Sequence, residues 1–156
     1  MKKKLLYGLL ALALLFGFIQ FFRPEKNWQI NPSRNDIFYK KQADPRIVTL
    51  LKTSCYDCHS NNTAYPWYNN IAPLSWMIAN HIKEGKNELN FANWDLYIPE
   101  KKHELLDKIS EVIEEYEMPL GSYLIFHSEA RLSDADKELL KIWAADQVVA
   151  LESIEK

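Results

Sequence analysis

Five consecutive residues, Cys55-Tyr56-Asp57-Cys58-His59, set two thiols three positions apart with an imidazole directly after the second. This is C-x-x-C-H, the spacing at which a chain holds a porphyrin through covalent thioethers. One turn of backbone between the sulfurs lets both reach vinyl groups on one edge of the ring. His59 is then held beneath the ring with a nitrogen aimed at the iron, which makes it the proximal ligand. Cys55 and Cys58 are the only two cysteines in the chain.

Other uses of these residues compete. A Cys55–Cys58 disulfide, structural or redox-active, uses the same spacing. It gives His59 no task, and the chain lacks the βαβ pattern around such a motif. A zinc site needs four ligands, whereas His81, His103 and His127 are scattered singly. Chance occurrence is the third alternative. Haem is attached in this way outside the cytoplasm, so an export signal is the independent check.

The N-terminus supplies one. Lys2, Lys3 and Lys4 precede an apolar run of 18 residues, Leu5 to Phe22, interrupted by Gln20, Gly8 and Gly17. The run is long for the core of a signal peptide, and about 20 residues suffice to cross a bilayer. No small-x-small cleavage site follows it. The sequence therefore predicts an uncleaved, single-pass inner-membrane anchor with the lysines inside and the remaining chain on the periplasmic side. The alternative is secretion to the periplasm after cleavage.

Setting those lysines aside leaves 16 of the 19 basic residues against 21 acidic ones, near −5 for the exported part. With no basic stripe, nucleic acid is not an expected partner; a redox partner protein of the cell envelope is. Apolar residues at 47% suffice for a core in a chain of one domain plus an appendage. The expected division is an anchor or signal over 1–23, a linker over 24–43, the main domain over 44–150 and a tail over 151–156. Trp28, Ile30, Ile37 and Phe38 are the linker side chains placed to dock on the domain.

The elements around the motif read as helices. Asp44-Pro45 pairs an N-cap with a first-turn proline, and Ile47, Val48, Leu50 and Leu51 continue one apolar face to Cys55. A short helix thus delivers the motif at its C-terminal end. Ser60 to Pro73 reads as a loop bearing Tyr65-Pro66-Trp67-Tyr68, an aromatic cluster suited either to a porphyrin edge or to ordinary core. A helix follows through Trp76, Met77, Ile78 and His81, with Gly85 as its terminator. Leu89 to Tyr97 is irregular. Pro99 opens a helix whose apolar face runs Leu105, Leu106, Ile109, Val112 and Ile113, with Glu111, Glu114, Glu115 and Glu117 on the solvated side. Ser133-Asp134-Ala135-Asp136 starts the last helix in capping-box style; that helix is expected to cross the Asp44–Ser54 helix with Trp143 in the contact. Strand-like alternation is absent, so the fold class is all-α.

A second chemical signal stands where the acidic helix runs out. Met118-Pro119 places a thioether in a loop about 60 positions after His59. Proline stiffens such a loop, and a soft sulfur favours ferrous iron. Met118 is the candidate sixth ligand. A methionine that only fills a core gap is the alternative, as are His127, His81 or an open position on the iron.

Residues 44–149 resemble class I c-type cytochromes, and in finer detail a family of small bacterial haem-binding domains. The shared motifs are C-x-x-C-H-S-N at Cys55–Asn61, Y-P-W-Y at Tyr65–Tyr68, S-W at Ser75-Trp76, H-I-x-E-G at His81–Gly85, L-N-F-x-x-W at Leu89–Trp94, and M-P at Met118-Pro119. The resemblance implies a cytochrome c-like helical domain around one covalent haem c, bound at Cys55, Cys58 and His59. The Met118 assignment follows the wider cytochrome pattern. The short spacing from C-x-x-C-H to Y-P-W-Y departs from that pattern and points to different haem surroundings. The expected function is one-electron transfer without catalysis. The rivals are a haem sensor or peroxidase-like enzyme with an exchangeable sixth ligand, and a non-haem disulfide module.

Overall fold

The computed structural model describes residues 2–29, 31–39 and 43–154; Ile30 lies outside them. The described chain is all-helical: α1 (Lys2–Ile19), α2 (Pro45–Ser54), α3 (Tyr56–His59), α4 (Leu74–Glu88), α5 (Pro99–Glu114), α6 (Gly121–Leu124) and α7 (Asp134–Ile154). Short 3-10 turns at Trp67–Asn70, Phe91–Leu96 and Ser128–Ala130 lie between them.

Local chemistry sets the helix ends. The Asp44 carboxylate accepts from the Arg46 amide at 2.8 Å and opens α2, with Pro45 in the first turn. Ser133 Oγ accepts from the Asp136 amide while Asp136 Oδ2 accepts from the Ser133 amide, the reciprocal pair expected before α7. After α5 the chain turns through Tyr116 at φ 60, a left-handed conformation, and the amides of Glu117 and Met118 return to the Val112 carbonyl. That closure satisfies a helix-end carbonyl and launches the Met118 loop.

The core gathers Ile47 and Leu51 of α2, Phe91 and Trp94, Leu105, Leu106, Ile109 and Ile113 of α5, and Leu140 and Trp143 of α7. The last helix lies chiefly along α5; its contact with α2 is the smaller one. Trp143 is buried, with its ring 6.5 Å from that of Phe38. The final helix reaches Ile154, so Leu151 packs on the core where a tail was expected.

The predicted anchor is corrected. Among the described residues no helix is long and apolar enough to cross a membrane. Helix α1 has 18 residues, of which Lys2, Lys3 and Lys4 are charged, leaving 15. Fifteen residues rise about 22 Å, short of the roughly 30 Å of a hydrocarbon layer. The apolar run continues to Phe22, but the helix stops at Ile19 because Gln20 turns back on the domain. Its amide nitrogen donates to the carbonyls of Phe16 and Ala72, at 2.9 and 3.1 Å, and its oxygen accepts from the Ala72 amide at 2.9 Å. The single-pass inner-membrane placement, with the remaining chain facing the periplasm, does not stand.

The connector that follows is bound to the domain. Trp76 Nε1 donates to the Phe22 carbonyl at 2.6 Å. Asn27 donates through its amide to the Tyr65 hydroxyl, and through Nδ2 to Ser60 O and Thr63 Oγ1; its Oδ1 accepts from Lys86. Ile37 is buried and Phe38 packs on the core, while Trp28 is 73% exposed.

Candidate functional site

The motif residues occupy their own short turn, α3, directly after α2. The amides of Cys58 and His59 both donate to the Cys55 carbonyl, and this wraps the two cysteines and the histidine into one turn. Both cysteines are free thiols and part-buried. Burial pushes the Cys55 thiol up to about 12, with the neighbouring Cys58 adding to the shift. Burial likewise raises Cys58, to about 11, with the Asp57 charge as the lesser cause.

His59 is held by the stretch after α4. Its Nδ1 lies 3.0 Å from the Leu89 carbonyl, and the Phe91 ring meets it edge-on at 6.5 Å. Burial lowers the His59 pKa, opposed by the carbonyls of Leu89 and Gly85 and by the Glu88 charge. The ring is therefore neutral near pH 7. A carbonyl only accepts, so the proton sits on Nδ1 and the lone pair is left on Nε2, the state a metal needs. A second tie runs in parallel: Asn90 Nδ2 donates to Asn61 Oδ1 at 2.9 Å. Two of the sequence motifs thus clasp each other through four residues, His59 and Asn61 against Leu89 and Asn90.

Helix α4 packs directly on this turn, and Gly85 marks the closest approach. A Cβ built on Gly85 would lie 2.8 Å from the Cys58 carbonyl oxygen and 3.2 Å from its Cβ. The sequence reading made Gly85 a terminator; instead α4 runs on to Glu88, and the glycine is there because backbone meets backbone.

Beside Cys58 opens a cleft with about 680 Å3 of non-atom space, its mouth included. Asp57 and Cys58 form its floor. Pro66 and Tyr68 of the aromatic stretch form one wall, Met77, Ile78 and His81 of α4 another, and Leu120, Tyr123 and His127 a third. His127 Nδ1 lies 3.1 Å from the Tyr123 carbonyl, so Nδ1 is the donor there, and in the neutral ring Nε2 keeps its lone pair. Met118 is part-buried and does not line the cleft; Leu120, two positions on, does. Met77, which the sequence places on the helix through His81, lines the cleft and is 46% exposed.

The structure sets Cys55, Cys58 and His59 on one turn; Cys58 lines the cleft together with His81, His127, Met77 and Tyr123, whereas Cys55, His59 and Met118 do not line it. Sequence had named the two histidines as lesser candidates. Tyr123 carried no signal beyond its type. Among the described residues no group of three His, Cys, Asp or Glu side chains is arranged to hold a bare metal ion.

A family profile described as a haem-binding domain matches residues 14–146, most of the chain. No match emerged among curated proteins or among solved structures. The chain belongs to the haem-binding-domain family, and the donor set fits the group: two free thiols on one turn, Cys58 at the cleft, and the adjacent His59 imidazole held through Nδ1 by the Leu89 carbonyl.

Two outcomes follow from this geometry. Gly85→Ala should destabilise the fold by about 1–3 kcal/mol, the cost of forcing a methyl into a filled contact; chemical denaturation measures it. With thiol pKa values near 12 and 11, thiolate is scarce at pH 8. Iodoacetamide should therefore alkylate the folded, haem-free chain at least ~10-fold more slowly than the denatured chain, where thiols titrate near 8.5.

Proposed function

We propose that this member of the haem-binding-domain family carries one haem c, joined through thioethers at Cys55 and Cys58 with His59 as proximal ligand, and serves as a one-electron carrier of the cytochrome c kind. When bound, the haem supplies the ferric–ferrous couple. The protein's part is position and environment. The α3 turn presents both sulfurs from one side. The Leu89 carbonyl fixes the ring of His59 and makes its free nitrogen a better donor. Apolar side chains from α4, with Pro66 and Tyr68, line the cleft beside Cys58. The observation that carries this reading is the part-buried His59 ring, one residue after Cys58 on the same turn, with its Nδ1 3.0 Å from the Leu89 carbonyl. A redox partner protein is the implied partner, and no bond in a substrate is made or broken.

Met118 is the proposed sixth ligand, since its loop is launched from α5 by the Tyr116 turn and leads straight into the cleft wall at Leu120. A second reading has a specific observation behind it: His127 already lines the cleft with Nε2 free. In that version the sixth ligand is a histidine, or the position is exchangeable and the protein is a sensor or peroxidase-like enzyme.

Expression of the full chain with a haem c maturation system should give a red protein whose haem survives denaturing electrophoresis and adds one haem to the mass. A colourless product of peptide mass alone overturns the proposal. Met118→Ala should open ferrous iron to carbon monoxide and lower the potential by the order of 100 mV, within the roughly 0.8 V that axial ligands span. If His127→Ala does this instead, His127 is the ligand. If the unaltered ferrous protein takes carbon monoxide readily, the carrier reading gives way to sensor or enzyme.

A further inference from the structure

Asp57 stands between the two cysteines, where the spacing itself makes no demand on residue type. Its carboxylate is nevertheless fully used. Oδ1 accepts from the Ala64 amide at 2.9 Å and Oδ2 from the Tyr123 hydroxyl at 2.8 Å, across 66 positions of sequence. Its carbonyl accepts from Thr63 Oγ1 at 2.6 Å. One side chain therefore grips both the 63–68 wall and the 120–127 wall of the cleft.

The second wall has little else holding it by polar contact. Among the described residues, segment 118–127 otherwise hydrogen-bonds locally in sequence or back to Val112 of α5. Tyr123 passes the restraint along. Its ring stacks on His127 at 4.0 Å with an interplanar angle of 8°, and its carbonyl engages His127 Nδ1. Tyr68 completes the closure from the opposite wall, with ring centroids 4.9 Å from Phe126 and 6.4 Å from His127. A phenol donating to a carboxylate is among the stronger neutral-to-charged hydrogen bonds.

We propose that Asp57 and Tyr123 are positioning residues: their hydrogen bond ties the segment carrying both Met118 and His127 to the haem-attachment turn, and so governs access to the sixth position of the iron. The assignment takes the haem reading above as its premise. It gives the inner residue of the C-x-x-C-H a task of its own. The turn that grips the cofactor from one side also sets, through Tyr123, where the opposing ligand loop can sit.

Tyr123→Phe removes one oxygen and keeps the ring, so it isolates the tie. In the haem-loaded full chain it should leave haem attachment intact and speed amide exchange at residues 120–127 about 10-fold or more, with α2 and α5 unchanged. The carbon monoxide association rate of the ferrous protein should rise at least ~10-fold. Asp57→Ala should reproduce both effects, and the double variant should add little to either single one. Wild-type exchange and wild-type carbon monoxide access in Tyr123→Phe would overturn the proposal, as would effects of the two substitutions that simply multiply. Should Asp57→Ala fail to fold, Tyr123→Phe alone decides. If the preparation carries no haem, the carrier reading fails, while amide exchange on the same chain still judges the tie.

Discussion

The hydrogen bond from the His59 ring to the Leu89 carbonyl is the constraint on which the site depends. It fixes three things together: the tautomer of the imidazole, the direction of its other nitrogen, and the distance between the α3 turn and the chain leaving α4. A part-buried ring without that acceptor would lose its orientation, and the cost of desolvating its N–H would go unmet. Everything nearby serves the approach. Gly85 lets α4 reach the Cys58 backbone, Asn90 clasps Asn61, and Phe91 lies against both Tyr56, at 5.2 Å, and His59. The L-N-F stretch is thus a brace for the histidine, as much a part of the site as the motif itself.

That arrangement divides labour between rigid and adjustable parts. The proximal side is built from α2, α3 and α4 with core residues behind them; Leu51 and Phe91 are almost wholly buried. The opposite wall is a loop with one short helix and exposed Ile125 and Phe126, held through Tyr123 and aromatic contacts. A firm half that holds and a lighter half that closes suits the binding of a large planar group such as haem.

Much of this was legible in the residues, for physical reasons. Cys55, Cys58 and His59 are neighbours in sequence, so their joint geometry needs only one turn of backbone. Helices α2, α5 and α7 announce themselves by apolar period and caps, because those signals are local. What escaped is what depends on contacts across the chain. Gly85 looked like a stop because a glycine needed for close approach and one needed for a helix end are the same residue on paper. His81, Met77 and His127 lie on separate elements, and only the packing of α4 against the Tyr65–Tyr68 stretch and the 120–127 loop brings them to one cleft. The apolar run to Phe22 overstated α1, since Gln20 finds its partner 52 positions away in Ala72.

That glutamine also fixes a direction in space. Two hydrogen bonds to Ala72, and one from Trp76 to the Phe22 carbonyl, tie the junction after α1 to the start of α4. The leucines and phenylalanines of α1 stand outward, more than half exposed, like the handle of a tool whose head is the cleft. Any body that holds that handle through those bonds would also bear on the direction in which the cleft faces.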